Sequence, residues 1–81
     1  MAELEQEIKT MVSKIIKMDE NKIDPDANLF SEYGVDSLLG VEILAGLDKK
    51  YGIDVPEQKI REIKSLNDII KLARELISKK A

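Results

Sequence analysis

The 81-residue chain contains no cysteine and no histidine. Without cysteine there is no disulfide to staple the fold and no thiolate metal site. Without histidine the chain lacks the usual general base near neutral pH and the commonest metal ligand. No apolar run approaches the ~18 residues of a membrane span, and Glu3, Glu5 and Glu7 stand where a signal peptide would be basic. A soluble, cytoplasmic protein is therefore expected. Strand-like alternation, internal repeats, low-complexity tracts and linkers are all absent, so residues 1–81 read as a single small domain. Its stability must come from packing, and the apolar fraction of 43% is ordinary for a globular chain.

A clustered basic face is missing too. Residues 1–40 hold nine acidic and four basic side chains, and residues 41–81 seven and nine, giving the overall net charge of −3. Nucleic-acid binding needs basic residues gathered on one surface, and Lys79-Lys80 read only as a solvated tail.

What remains is helical periodicity. Leu4, Ile8, Met11, Val12, Ile15 and Ile16 recur at helical spacing over residues 3–18. Residues 19–36 lose that period and carry Asp19, Asn21, Asp24, Pro25, Asp26 and Asn28, which predicts a long loop pinned by Ile23, Leu29, Phe30 and Val35. A second helix is expected from Ser37 to about Tyr51, capped by Asp36 and closed at Gly52. Pro56 suits the first turn of a short third helix over 56–62. The last helix, about 66–79, carries Leu66, Ile69, Ile70, Ala73, Leu76 and Ile77 on one stripe. The expected fold class is all-α: a small four-helix bundle of three longer helices and one short third helix, with a long loop between helices 1 and 2.

The second helix has two faces. Advancing about 100° per residue gathers Gly40, Ile43, Leu44, Leu47 and Tyr51 toward the core, and Leu38, Val41, Glu42, Ala45 and Lys49 on the opposite side. One buried stripe is enough for a helix in so small a bundle. The second stripe begins beside Ser37 and suits either partner docking or burial under the long loop. Gly40 and Gly46 each weaken a helix by roughly 1 kcal/mol relative to alanine, which implies a packing or functional reason. At Gly40 the missing side chain either opens an entrance to the interior or allows close approach of the loop backbone.

Ser37 itself opens the helix. It has no histidine base and no Gly-x-Ser-x-Gly elbow, so it is not placed as a nucleophile, and the chain is not expected to be an enzyme. Free backbone N–H groups and the helix dipole favour negative charge there, which suits a phosphate on the seryl oxygen.

The run Gly34-Val35-Asp36-Ser37-Leu38 with Val41-Glu42, set between an amphipathic first helix with a Leu29-Phe30 loop and a Tyr51-Gly52-Ile53, Val55-Pro56 segment, resembles the acyl carrier protein family over essentially the whole chain. The resemblance implies an acyl carrier holding acyl intermediates as thioesters on a 4′-phosphopantetheine arm. The arm is attached to Ser37 by a phosphopantetheinyl transferase using coenzyme A, and the carrier serves fatty acid or polyketide and other specialised lipid biosynthesis. It implies that Asp36 presents the serine to the transferase as well as capping the helix. Leu38, Val41, Glu42 and Ala45 would meet acyl-transferring and acyl-modifying enzymes. Gly40, Ile43, Leu44 and Leu47 would line an acyl pocket in a monomer that needs no metal.

The chain departs from the strongly acidic second helix usual in fatty-acid carriers. Lys49 and Lys50 follow Asp48, and Lys59 and Arg61 occupy the short-helix region, which weakens electrostatic guidance of basic partners and points to a dedicated pathway. A peptidyl or aminoacyl carrier and an unmodified helical interaction module are the other readings.

Overall fold

A computed structural model of the chain describes residues 2–80. Three 15-residue helices form its frame: α1 (Ala2–Ile16), α3 (Ser37–Tyr51) and α4 (Leu66–Lys80). The four-residue helix α2 (Leu29–Glu32) and two short 3-10 segments, Glu20–Lys22 and Glu57–Arg61, lie in the connections. No strand occurs among the described residues, in agreement with the all-α bundle expected.

Apolar spacing sets which face each long helix buries. α1 contributes Ile8 and Val12, α3 contributes Ile43, Leu44 and Leu47, and α4 contributes Leu66, Ile69, Ile70 and Ala73. Each fully buried Leu or Ile side chain stabilises the fold by roughly 1.5–3 kcal/mol relative to an exposed one. Gly46 has a packing explanation, because a Cβ there would lie 2.9 Å from the Met11 sulfur, so its bareness lets α1 and α3 approach closely.

The first helix ends two residues earlier than its periodicity suggested. Lys17 adopts the left-handed region at φ 59°, and the Met18 N–H donates to the Ser13 carbonyl at 3.0 Å. This is the Schellman closure that glycine usually supplies.

The connection that follows is ordered by polar caps and by buried anchors. Asp19 accepts from the Asn21 N–H, and the Asn28 side chain accepts from the Phe30 and Ser31 N–H groups, which starts the unexpected helix α2. Ile23, Leu29 and Val35 are buried beneath it. Two backbone bonds fasten this connection to the approach to α4: the Leu29 N–H donates to the Lys64 carbonyl at 2.7 Å, and the Asn67 N–H to the Pro25 carbonyl at 3.1 Å.

The predicted third helix proves to be a 3-10 turn, and Pro56 precedes it with extended backbone (ψ 140°) instead of entering its first turn. α4 begins on a capping box that runs from Ser65 to Asp68. The Asp68 N–H donates to Ser65 Oγ, while Asp68 Oδ2 accepts from the Ser65 and Lys64 N–H groups.

Candidate functional site

Ser37 is the first residue of α3 and its side chain is exposed. Asp36, in extended conformation just before it, accepts the Leu39 N–H on Oδ1 at 2.9 Å, and its carbonyl accepts the Gly40 N–H at 2.9 Å. The cap role expected of Asp36 is therefore present. The two N–H groups that this arrangement leaves, those of Ser37 and Leu38, have no acceptor among the described residues. A 15-residue helix thus ends in two free donors and a hydroxyl facing solvent, which is favourable ground for an anionic oxygen. Gly34, at φ 65°, turns the chain into this position, and Val35 is buried as the anchor between turn and helix.

Ser37 forms part of the rim of a cleft of about 310 Å³. Asn28 and Phe30 come from the α2 side, and Ile60, Arg61 and Lys64 from the opposite wall. Apart from Ser37, none of these was picked out in sequence as a site residue. Arg61 was noted only as a charge departure, and the spacing of Ile60, Arg61 and Lys64 acquires meaning only when their segment packs beside α3.

The core-facing residues Ile43, Leu44 and Leu47 are buried as expected. At Gly40 the structure corrects both expectations, since neither an open entrance nor the loop backbone lies over the missing side chain. Ile60 fills that space, with Cδ1 2.7 Å and Cγ1 2.9 Å from where a Cβ would sit. The sequence could not reveal this, because Ile60 and Gly40 are 20 residues apart and belong to different elements.

The outer face of α3 is open. Leu38 is 68% exposed and Val41 37% exposed, so neither is tucked under the long loop; Glu42 and Ala45 are exposed beside them. Val41, Leu44 and Ala45 form a shallow groove with Asp48, Val55 and Glu57. Lys50 lies elsewhere, lining a larger depression of about 520 Å³ against α1. The charged residues lining the groove itself, Asp48 and Glu57, are acidic, while Lys49 stays exposed on the same helix. That larger depression sits at the opposite end of α3, about 20 Å from Ser37 at 1.5 Å per residue.

At that same end the Tyr51 hydroxyl donates to Glu7 Oε1 at 2.9 Å. Burial, the hydrogen bond and the nearby Glu7 charge together push the phenol up to about 12. Among the described residues no group of acidic side chains is placed to hold a metal ion.

The comparisons with known proteins agree with this geometry. The family model described as "Phosphopantetheine attachment site" matches residues 6–73. An acyl carrier protein from Rickettsia massiliae (strain Mtu5) is 32% identical over 72 residues, covering 89% of this chain and 84% of that protein. Another, from Thermosynechococcus vestitus, is 25% identical over 69 residues, covering 85% of each chain. Among solved structures, the HMG-ACPI domain from the CurA module of Lyngbya majuscula superposes with a TM-score of 0.78 at 24% identity, over 98% of this chain and 80% of that one. The apo doublet acyl carrier protein from prodigiosin biosynthesis gives 0.79 at 19% identity, over 91% of this chain and 36% of that one. The first two are similar in sequence and the last two in fold.

The fold and the family match define a phosphopantetheine-bearing carrier rather than an enzyme. More particularly, the chain belongs to the acyl carrier protein family, whose members carry 4′-phosphopantetheine and work with a phosphopantetheinyl transferase and acyl-handling enzymes. No helix among the described residues is long and apolar enough to cross a membrane.

Proposed function

We propose that Ser37 is the attachment point of 4′-phosphopantetheine and that the chain carries acyl groups as thioesters for fatty acid, polyketide or another specialised lipid pathway. The observation that carries this reading is the exposed Ser37 hydroxyl at the start of α3, beside the free N–H groups of Ser37 and Leu38. The arm, when bound, supplies the thiol to which acyl groups are joined as thioesters, a group the polypeptide lacks. The chain's own residues supply position and address. Asp36 fixes the first turn of α3 so that the seryl oxygen is presented outward to the transferase. The helix terminus stabilises the negative charge of a phosphodiester by roughly 0.3–1 kcal/mol at an exposed site.

Leu38, Val41, Glu42 and Ala45 form the surface met by partner enzymes, bordered by Asp48 and Glu57. Gly40, Ile43, Leu44 and Leu47 form the interior wall against which an acyl chain would be sheltered, and Ile60 must move aside before anything enters over Gly40. The chain acts as one domain and as a monomer, since Leu38 and Val41 are the only large apolar side chains exposed among the described residues, and a stable dimer needs roughly 800 Å² per partner. We place it in the cytoplasm, the compartment that supplies coenzyme A.

Incubation with coenzyme A and a broad-specificity phosphopantetheinyl transferase, followed by intact mass measurement and peptide mapping, tests the reading. One phosphopantetheine adduct on Ser37, absent from Ser37→Ala, is expected. An unmodified wild-type chain, or an adduct that survives Ser37→Ala, overturns it.

A further inference from the structure

The cleft at Ser37 is lined by two cationic residues, Arg61 and Lys64. Neither side chain has a carboxylate or other acceptor among the described residues, whereas Lys59, Arg74 and Lys79 each pair with a glutamate. The nearby acidic side chains are already engaged: Glu62 with Lys59, and Asp68 with the backbone N–H groups of Lys64 and Ser65. The rest of the lining is Phe30 and Ile60, with Asn28, whose side chain is held in the cap of α2. One cleft therefore offers a hydroxyl attachment point, two unpaired cations and an apolar surface side by side.

We propose that this cleft is the resting site of the prosthetic arm's first half, with Arg61 and Lys64 as counter-ions to its phosphodiester and Phe30 and Ile60 packing against its pantoyl methyl groups. The inference rests on attachment at Ser37 and deepens it. Proximity decides which anion the cations serve. A phosphodiester on Ser37 lies at the cleft by construction, whereas a carboxylate on the cargo, at the arm's far end, reaches it only if the whole arm folds back. Arg61 can bind two phosphate oxygens with its planar fork, while Lys64 acts as a point charge. The apolar walls then convert a loosely tethered group into one with a preferred direction, along the cleft and away from the Leu38–Val41 face. That face stays free for partners while the arm is at rest.

The test uses the full chain loaded with an isotopically labelled arm, with a single adduct confirmed by intact mass before any further measurement. NOEs are expected between the pantoyl methyl protons and the Phe30 ring and Ile60 methyl groups, together with shifts of the Arg61 and Lys64 side-chain resonances relative to Ser37→Ala. Arg61→Glu with Lys64→Glu, both at exposed positions, should load and fold yet lose those NOEs. The neutral pair Arg61→Gln with Lys64→Gln should retain a weakened set. Raising the ionic strength from about 0.01 M to about 1 M, which shortens the screening length from ~30 Å to ~3 Å, should also weaken them.

A loaded chain without these NOEs overturns the proposal, as does a Glu pair that keeps them. NOEs that appear with a malonyl cargo but not with an acetyl one also overturn it, since the cations would then serve the cargo carboxylate. Absence of any adduct would instead remove the attachment at Ser37, and the two failures are told apart by mass alone.

Discussion

Lys17 occupies a backbone position that glycine fills at little cost. At φ 59° its Cβ crowds the following carbonyl, a penalty of roughly 1–2 kcal/mol, and the Schellman closure of α1 holds it there. Lys17→Gly should therefore raise the stability of the fold by about 1 kcal/mol, partly offset by the greater freedom of glycine in the unfolded chain, as measured by denaturant unfolding. This strain was invisible in sequence, because Lys17 sat inside a stretch read as helix to residue 18, and the stop comes from the backbone rather than from a breaker residue. Asp36 and Ser37 were legible for the opposite reason. An Asx cap followed by an exposed hydroxyl is a local pattern, and local patterns survive folding unchanged. Arg61 and Lys64 were not legible, since a cation's meaning depends on what lies across from it.

At the scale of elements, α3 and the Glu57–Arg61 segment are fitted to each other through Gly40 and Ile60. A side chain at 40 and the whole of Ile60 cannot share the space that leaves 2.7 Å between a Cβ and Cδ1. Gly40→Leu should therefore destabilise by roughly 1–3 kcal/mol, the usual range for overpacking, despite the gain in helix propensity. Ile60→Ala in the same chain should recover more than half of that loss, and a double-mutant cycle should report coupling of at least about 0.5 kcal/mol. Simple additivity of the two changes would show that the residues do not compete for the same volume. The three long helices were readable because the apolar period is sustained over 15 residues in each, and in α3 the caps at Asp36 and Gly52 agreed with it. The short pieces were not. α2 is a single turn started by the Asn28 cap within a stretch whose composition reads as loop, and Glu57–Arg61 is too short for period to separate a 3-10 turn from an α-helix. The capping box Ser65-Leu66-Asn67-Asp68 was available in the sequence and would have fixed the start of α4.

Across the whole molecule, α1 is tied to the end of α3 by Tyr51 and Glu7, and to α4 by the Glu5–Arg74 pair at 2.6 Å. The Tyr51 proton is held more tightly in the folded state than in the unfolded one. Its contribution is thus fully present below pH 10 and is lost as the pH rises toward about 12. Stability measured by chemical denaturation should fall across that window in the wild type, and fall less in Tyr51→Phe; parallel pH curves would show that the phenol is not linked to folding.

The bond from the Leu29 N–H to the Lys64 carbonyl has a consequence of its own. It braces the two jambs of the doorway beside Ser37 against each other, one strut joining the start of α2 to the start of the α4 cap. A frame fastened this way resists widening, so under the proposed function the size of what the cleft accepts would depend on the furniture on the jambs, Phe30 and Ile60. On that proposal, room for a bulkier guest would come from trimming one of those two side chains, with the frame left as it stands.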